Sequence, residues 1–266
     1  MGLYSNAYSV IRQYLSGAVG DLVTGTFASG TTTTGVHTML RKSDDYYNEH
    51  GYRVYIYGGT NIGEEREVSD WVYSSSTLTV APAFTSAIDA TSQYELRHLF
   101  WEDEYRNAIN LAIASIAGKY LIDKTDITVT LTAGIYEYSL PSGMNYVNRI
   151  TTEADVGGGV FNTEGVIDTR DWQLISPRKL KLHEERYSIT ANKDLRIEGQ
   201  GRQTAVSGDA DIIYLPPDWL VQKAITFLPQ AKIQTYGLDA TYQQALVQSV
   251  FEPRNSPASD ARRVIE

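Results

Sequence analysis

Residues Gly25–Leu96 read GTFASGTTTTGVHTMLRKSDDYYNEHGYRVYIYGGTNIGEEREVSDWVYSSSTLTVAPAFTSAIDATSQYEL, a run of threonines, tyrosines and glycines between two helical patterns. Within it Val54 and Ile56, Leu78 and Val80, and Tyr94 and Leu96 alternate with polar neighbours at period two, as half-buried strands do. Gly58-Gly59 and Ser74-Ser75-Ser76 supply turns. Strands this short and this evenly spaced predict a small β-barrel. No catalytic cluster sits on it, so the architecture points to assembly before chemistry.

Outward from this segment the pattern turns helical. Ser5–Ser16 places Ala7, Val10, Ile11, Tyr14 and Leu15 on one side, and Gly17 with Gly20 ends the helix. A second helix, Glu102–Tyr120, carries Tyr105, Ile109, Ala112, Ile113, Ile116 and Tyr120 at three- and four-residue steps. Its first turn holds Glu102, Asp103 and Glu104, which suit the positive end of a helix dipole. A third helix follows Pro216-Pro217-Asp218, with Asp218 as the expected cap, and runs to about Tyr236; Pro229 should kink or split it. A fourth spans about Asp239–Val250.

Between the second and third helices the sequence returns to strands. Ile127–Leu131 and Ile135–Leu140 predict a hairpin over Thr132-Ala133-Gly134. Further strands are expected near Val147–Thr152, Leu180–Leu182, Tyr187–Thr190, Leu195–Glu198 and Ile212–Leu215. The expected fold is therefore α+β. Residues 1–20 and 98–124 begin a helical core of three to four helices, completed by 216–250. An inserted β-barrel occupies 21–97 and a second β region 125–215. Residues 251–266, with two prolines and small polar side chains, have the composition of an extended tail.

Composition narrows the functional classes. The chain has 266 residues, no cysteine and a formal net charge of −9. Disulfides, thiolate catalysis and cysteine-bound metals are excluded. A basic stripe for DNA phosphates is missing: Arg178, Lys179, Lys181 and Arg186 are interrupted by Glu184 and Glu185. The 19 tyrosines suit sheet faces and wet interfaces. No stretch approaches the ~18 apolar residues of a membrane span, and the N-terminus lacks a basic leader, so a soluble protein is expected. His37, His50, His98 and His183 are scattered without metal-ligand spacing. Asp209 and Asp211 resemble only a fragment of a calcium loop. The pairs Asp44/Asp45 and Glu64/Glu65 would point to opposite faces of a strand. No catalytic, cofactor or metal residue is assigned, and no enzyme is expected.

The amphipathic helix ending NAINLAIASIAGKYL (residues 107–121), the following YEYSLPSGMNYVNRI (136–150) and the late helix after LPPDWL (215–220) resemble the head-to-tail adaptor, or connector, proteins of tailed bacteriophages. That resemblance implies a homo-oligomeric ring, commonly of about twelve copies. It also implies a portal protein above, tail proteins below, and DNA passing through the lumen without specific binding. The chain would be made in the host cytoplasm and reside in the virion. The helices from Glu102 and Trp219 would form the ring wall. The tail would dock on the portal through Phe251, Arg254, Arg262, Arg263, Val264 and Ile265. The alternative is a carbohydrate- or receptor-binding module of a virion, with Trp71, Tyr46, Tyr47 and Tyr73 as sugar platforms.

Overall fold

The structure, a computed structural model, describes residues 4–257 and 260–265. Residues 1–3 of the expected helical core, and 258, 259 and 266 of the expected tail, lie outside the described residues. In chain order the elements are β1 (Asn6–Ala7), α1 (Tyr8–Ala18), β2 (Val23–Thr26), β3 (Ser29–Gly30), β4 (Thr34–Val36), α2 (Tyr46–Glu49), β5 (Arg53–Gly58), β6 (Glu65–Val72), β7 (Thr77–Ala81), β8 (Gln93–Arg97) and α3 (Glu102–Ser115). Then come β9 (Ile122–Thr130), β10 (Glu137–Ser139), β11 (Tyr146–Thr152), β12 (Trp172–Ile175), β13 (Lys179–Leu182), β14 (Asp194–Gly201), β15 (Ile212–Ile213), α4 (Pro217–Ile225), α5 (Gln230–Thr235), α6 (Asp239–Gln248) and β16 (Arg262–Arg263). Among the described residues these make sixteen strands in four sheets and six small helices. The expected helical core carrying a barrel is thus incorrect: the chain is mostly sheet, and no sheet closes.

The chain divides into two compact units. One joins Tyr4–Ser115 to Ala205–Glu252. Its main sheet has seven antiparallel strands in the order β2-β8-β5-β6-β7-β4-β3. The edges β2 and β3 are separated in sequence by only Phe27 and Ala28. Phe27 N–H donates to Ser92 O (3.1 Å), extending the β8 side, while Ala28 N–H donates to Val36 O (2.8 Å), extending the β4 side. The stretch crosses between edges instead of turning back to pair with itself. The Phe27 ring packs over Gly35, where an added Cβ would approach Phe27 Cε1 to 2.4 Å.

Period two holds on this sheet, with a consequence the sequence hides. Val54, Ile56, Leu78, Val80, Tyr94 and Leu96 enter one apolar core with Trp71, Phe27 and Phe84. In β8, Glu95 and Arg97 point the opposite way, yet they are as buried as Tyr94 and Leu96. Arg53 and Tyr55 of β5 are buried as well. The polar face is an interior face.

The helices follow their sequence signals, with shifted ends. α1 starts at Tyr8 because β1 pairs with β15 and Tyr8 N–H donates to Asp211 O (2.8 Å). Pro217 takes the first position of α4, so Asp218 lies in the first turn and caps nothing with its side chain. Pro229 splits the expected long helix into α4 and α5.

Asp21, buried just beyond α1, accepts from the N–H groups of His98 (2.7 Å), Leu99 (3.0 Å) and Phe100 (3.1 Å) and from the Tyr105 hydroxyl (2.8 Å). Burial pushes its carboxyl up, but bonds from the His98 ring and these amides outweigh that and hold it below the usual carboxylate range. A depressed folded-state pKa adds stability above the unfolded value of about 3.9 and loses it as pH falls through the folded value. Asp21→Asn is expected to cost about 1.5–3 kcal/mol at pH 7. It should also flatten the acid limb of stability below about pH 4. Urea titrations between neutral and acidic pH would check both.

The second unit comprises Ile116–Thr204 and the chain from Pro253 onward. A four-stranded sheet, β16-β11-β14-β9, and a three-stranded sheet, β10-β13-β12, share one core. Val147, Ile150, Leu195 and Ile197 of the first meet Tyr138, Trp172, Leu180 and Leu182 of the second. The expected hairpin does not form: β9 pairs with β14 and β10 with β13. The Tyr138 hydroxyl accepts from Thr132 N–H (3.0 Å) and donates to Ile135 O (2.6 Å), holding the intervening turn so that the chain changes sheets. The strand expected at Tyr187–Thr190 is irregular chain.

Candidate functional site

The first unit contains two features that its packing alone does not use up. One is α6. Every other helix of more than four residues buries at least one large apolar side chain: Ile11 and Leu15 from α1, Tyr105, Ile109 and Ile113 from α3, Trp219, Leu220 and Ile225 from α4, and Ile233 from α5. From α6 only Ala245 is buried. Beyond it Val247 is 70% exposed, Val250 68% and Phe251 86%, with Leu246 partly exposed as well. The helix is held mainly by α4: Trp219 Nε1 donates to Ser249 O (3.3 Å). A groove of about 550 Å³ flanks it, lined by Tyr14, Pro217, Asp218, Val221, Gln222 and Gln248. Ten residues of helix with one buried side chain fall below the length at which helices are stable alone.

The other feature is the buried polar face of the sheet. Arg12, fully buried in α1, grips Glu95 of β8 through Nε (3.0 Å) and Nη2 (2.9 Å). Its Nη1 binds Asp209 and lies 3.6 Å from Glu102. The Tyr8 hydroxyl donates to Glu102 (2.8 Å) and the Tyr55 hydroxyl to Asp209. Arg97, also fully buried, sits over the rings of Tyr55 (5.1 Å) and Tyr105 (5.3 Å), with Glu65 and Glu95 at 3.7 and 3.6 Å. Burial pushes the Glu65 carboxyl up, and Arg97 offsets this in part. Arg12 and Arg97, with Arg106 on Glu102 (2.9 Å), face these four carboxylates, so the cluster is an ionic joint between helices and sheet. Among the described residues no group of His, Asp or Glu side chains could hold a metal ion.

Asp209, expected only as a calcium-loop fragment, is therefore a partner of Arg12, while Asp211 accepts from the Ser207 (2.6 Å) and Gly208 (2.9 Å) amides. Two of the four supposed sugar platforms are core residues: Trp71 and Tyr47 are buried, and Trp71 Nε1 donates to Lys42 O (3.0 Å). Sequence reading passed over Arg12, although an arginine inside an apolar helical stripe is itself a signal of a buried ion pair.

The six tail residues separate into two places. Phe251 follows α6, and Arg254 is exposed. Arg262 and Arg263 pair with β11, Val264 enters the core of the second unit, and Ile265 is half-exposed.

No helix is long and apolar enough to cross a membrane among the described residues. No curated protein matches the chain. A family model described as SU10 adaptor protein matches residues 82–251, well over half of the sequence. The match begins after β7 and ends at Phe251, so it takes in β8, most of the second unit and all the late helices. The resemblance to phage adaptors is upheld at that level, and the chain belongs to the SU10 adaptor protein family, a bacteriophage structural adaptor and component of the virion.

Proposed function

We infer that this adaptor works as a closed ring of identical copies joining the portal to the tail, with DNA passing through its lumen. The observation that carries the reading is the end of α6, where Val247, and Val250 and Phe251 just past the helix, stand in solvent while a single residue of the helix, Ala245, is buried. A ring needs a heterologous contact in which one face of a copy meets a different face of the next. The α6 face supplies one half of such a contact, and apolar side chains at the centre of an interface carry most of its energy. The wall expected from α3 and α4 moves accordingly toward α6, because the apolar sides of α3 and α4 are already spent inside the unit. The net charge of −9 suits a lumen to which DNA does not adhere. The portal template and the tail proteins complete the junction.

Mass photometry of the purified chain with and without a portal ring tests this. A discrete mass of one portal plus a full ring of adaptor copies is expected. A chain that stays monomeric at micromolar concentration beside the portal would contradict the reading.

A further inference from the structure

The two ends of α6 lie in different surroundings. Only Tyr236, Gly237 and Leu238 separate its start from α5. There Lys232 of α5 donates to Glu104 in the first turn of α3 (2.6 Å), and the Tyr236 ring stands edge-on to His98. From that end α6 runs about 15 Å to the first turn of α4. Gln248 lines the groove there with Pro217 and Asp218, and Trp219 donates to Ser249 O. Phe251 therefore leaves the helix at the end remote from the first turn of α3. At the α3 end a cleft of about 460 Å³ opens, with Gly63, Trp101, Asp103 and Arg106 in its lining. Buried Arg53 stacks on the Trp101 ring (4.0 Å) and fixes it, yet the indole is partly exposed. An adjoining cleft shares Gly63 and Arg106 and adds the exposed Ile62. Of the acidic residues in the first turn of α3, Glu102 is held by Arg106 (2.9 Å) and Glu104 by Lys232, while Asp103 is exposed.

We propose that this cleft is the receiving half of the ring contact: Phe251 of one copy enters it on the next and packs against Trp101 and Ile62. This inference rests on the ring reading above. A copy cannot fill its own cleft, because α6 carries Phe251 away from it and leaves the side chain 86% exposed. Knob and socket at opposite ends of one helix are what a heterologous contact requires, since each copy then gives at one end and receives at the other. The groove beside Gln248 lies at the same end as Phe251, so docking there would be reciprocal and would close a two-fold pair. The cleft is large enough for an aromatic ring, and a fixed, partly exposed indole is a favourable partner for one. Charge agrees with this pairing. Arg254 is exposed three residues beyond Phe251, a reach of at most about 11 Å. With Phe251 seated, Arg254 comes to Asp103 at the mouth, and opposite charges there set the register of the encounter.

The absence of native cysteines makes the test clean. Asp103→Cys and Arg254→Cys both change exposed side chains, so neither should disturb folding. The two single variants are mixed, assembled on the portal and treated with a short bis-maleimide, with each variant alone as control. The proposal predicts covalent dimers of twice the chain mass in the mixture and none in either control. The double variant Asp103→Cys/Arg254→Cys should give a ladder of products extending beyond two chains. Rings that form normally, yet leave the mixture as single chains, would overturn this socket and leave the ring standing. A double-variant product that stops at two chains would mean a two-fold contact, and absence of rings by mass photometry would remove the ring itself; either result would overturn the ring reading together with the socket.

Discussion

Replacing Arg12 with methionine should remove about 3–5 kcal/mol from the stability of the unit built on the seven-stranded sheet. Arg12 is fully buried and is the common partner of Glu95, Asp209 and Glu102, all nearly inaccessible to water. Methionine fills much of the same volume, so the loss isolates charge from packing. Three buried carboxylates would then face one another with Arg97 and Arg106 as the remaining nearby cations. Arg12→Lys keeps the charge but loses the two-pronged contact to Glu95, so its loss should be smaller. Trp71, Trp101 and Trp219 lie in this unit, and their fluorescence in urea titrations gives the measurement. A loss below about 1 kcal/mol would mean that the ionic joint does not hold α1 to the sheet.

The second large effect concerns assembly. Val250→Asp with Phe251→Asp should leave the unfolding free energy within about 0.5 kcal/mol of wild type, since both side chains already stand in water. The same pair of changes should weaken association by at least 2 kcal/mol, roughly thirty-fold or more, because two carboxylates would be buried without partners in the contact. Sedimentation velocity over a concentration series with the portal present measures the shift. Unchanged assembly by a folded variant would remove α6 from the interface.

How far these features can be read from the sequence depends on whether a local period specifies them. The inward set on β5, β7 and β8 is legible because alternation needs only the strand itself. The partner of the outward set is not: Glu95 meets Arg12 from 83 residues away, and Arg12 meets Asp209 across 197. Alternation reports that Glu95 and Arg97 face away from Tyr94, without saying that helices cover that side. The same limit produced the false hairpin, since period two marks the faces of β9 and β10 but not the strands they pair with. The crossing at Phe27 and Ala28, whose amides serve opposite edges of the large sheet, has no sequence signature. The stripe on α3 and the break at Pro229 were legible, as steric and periodic signals are local. At the proposed assembly face, Val247, Val250 and Phe251 look in sequence like ordinary packing residues, and their exposure appears only in the fold, where α6 buries Ala245 alone. The two-residue strand Arg262–Arg263 is too short to carry any period.

Electron cryomicroscopy of the head–tail junction in intact particles tests the central claim most directly. The account predicts this chain as a closed ring between portal and tail, with Val247, Val250 and Phe251 of each copy covered by the next. Density placing the chain elsewhere in the particle, or a ring in which those three side chains face solvent, would contradict it.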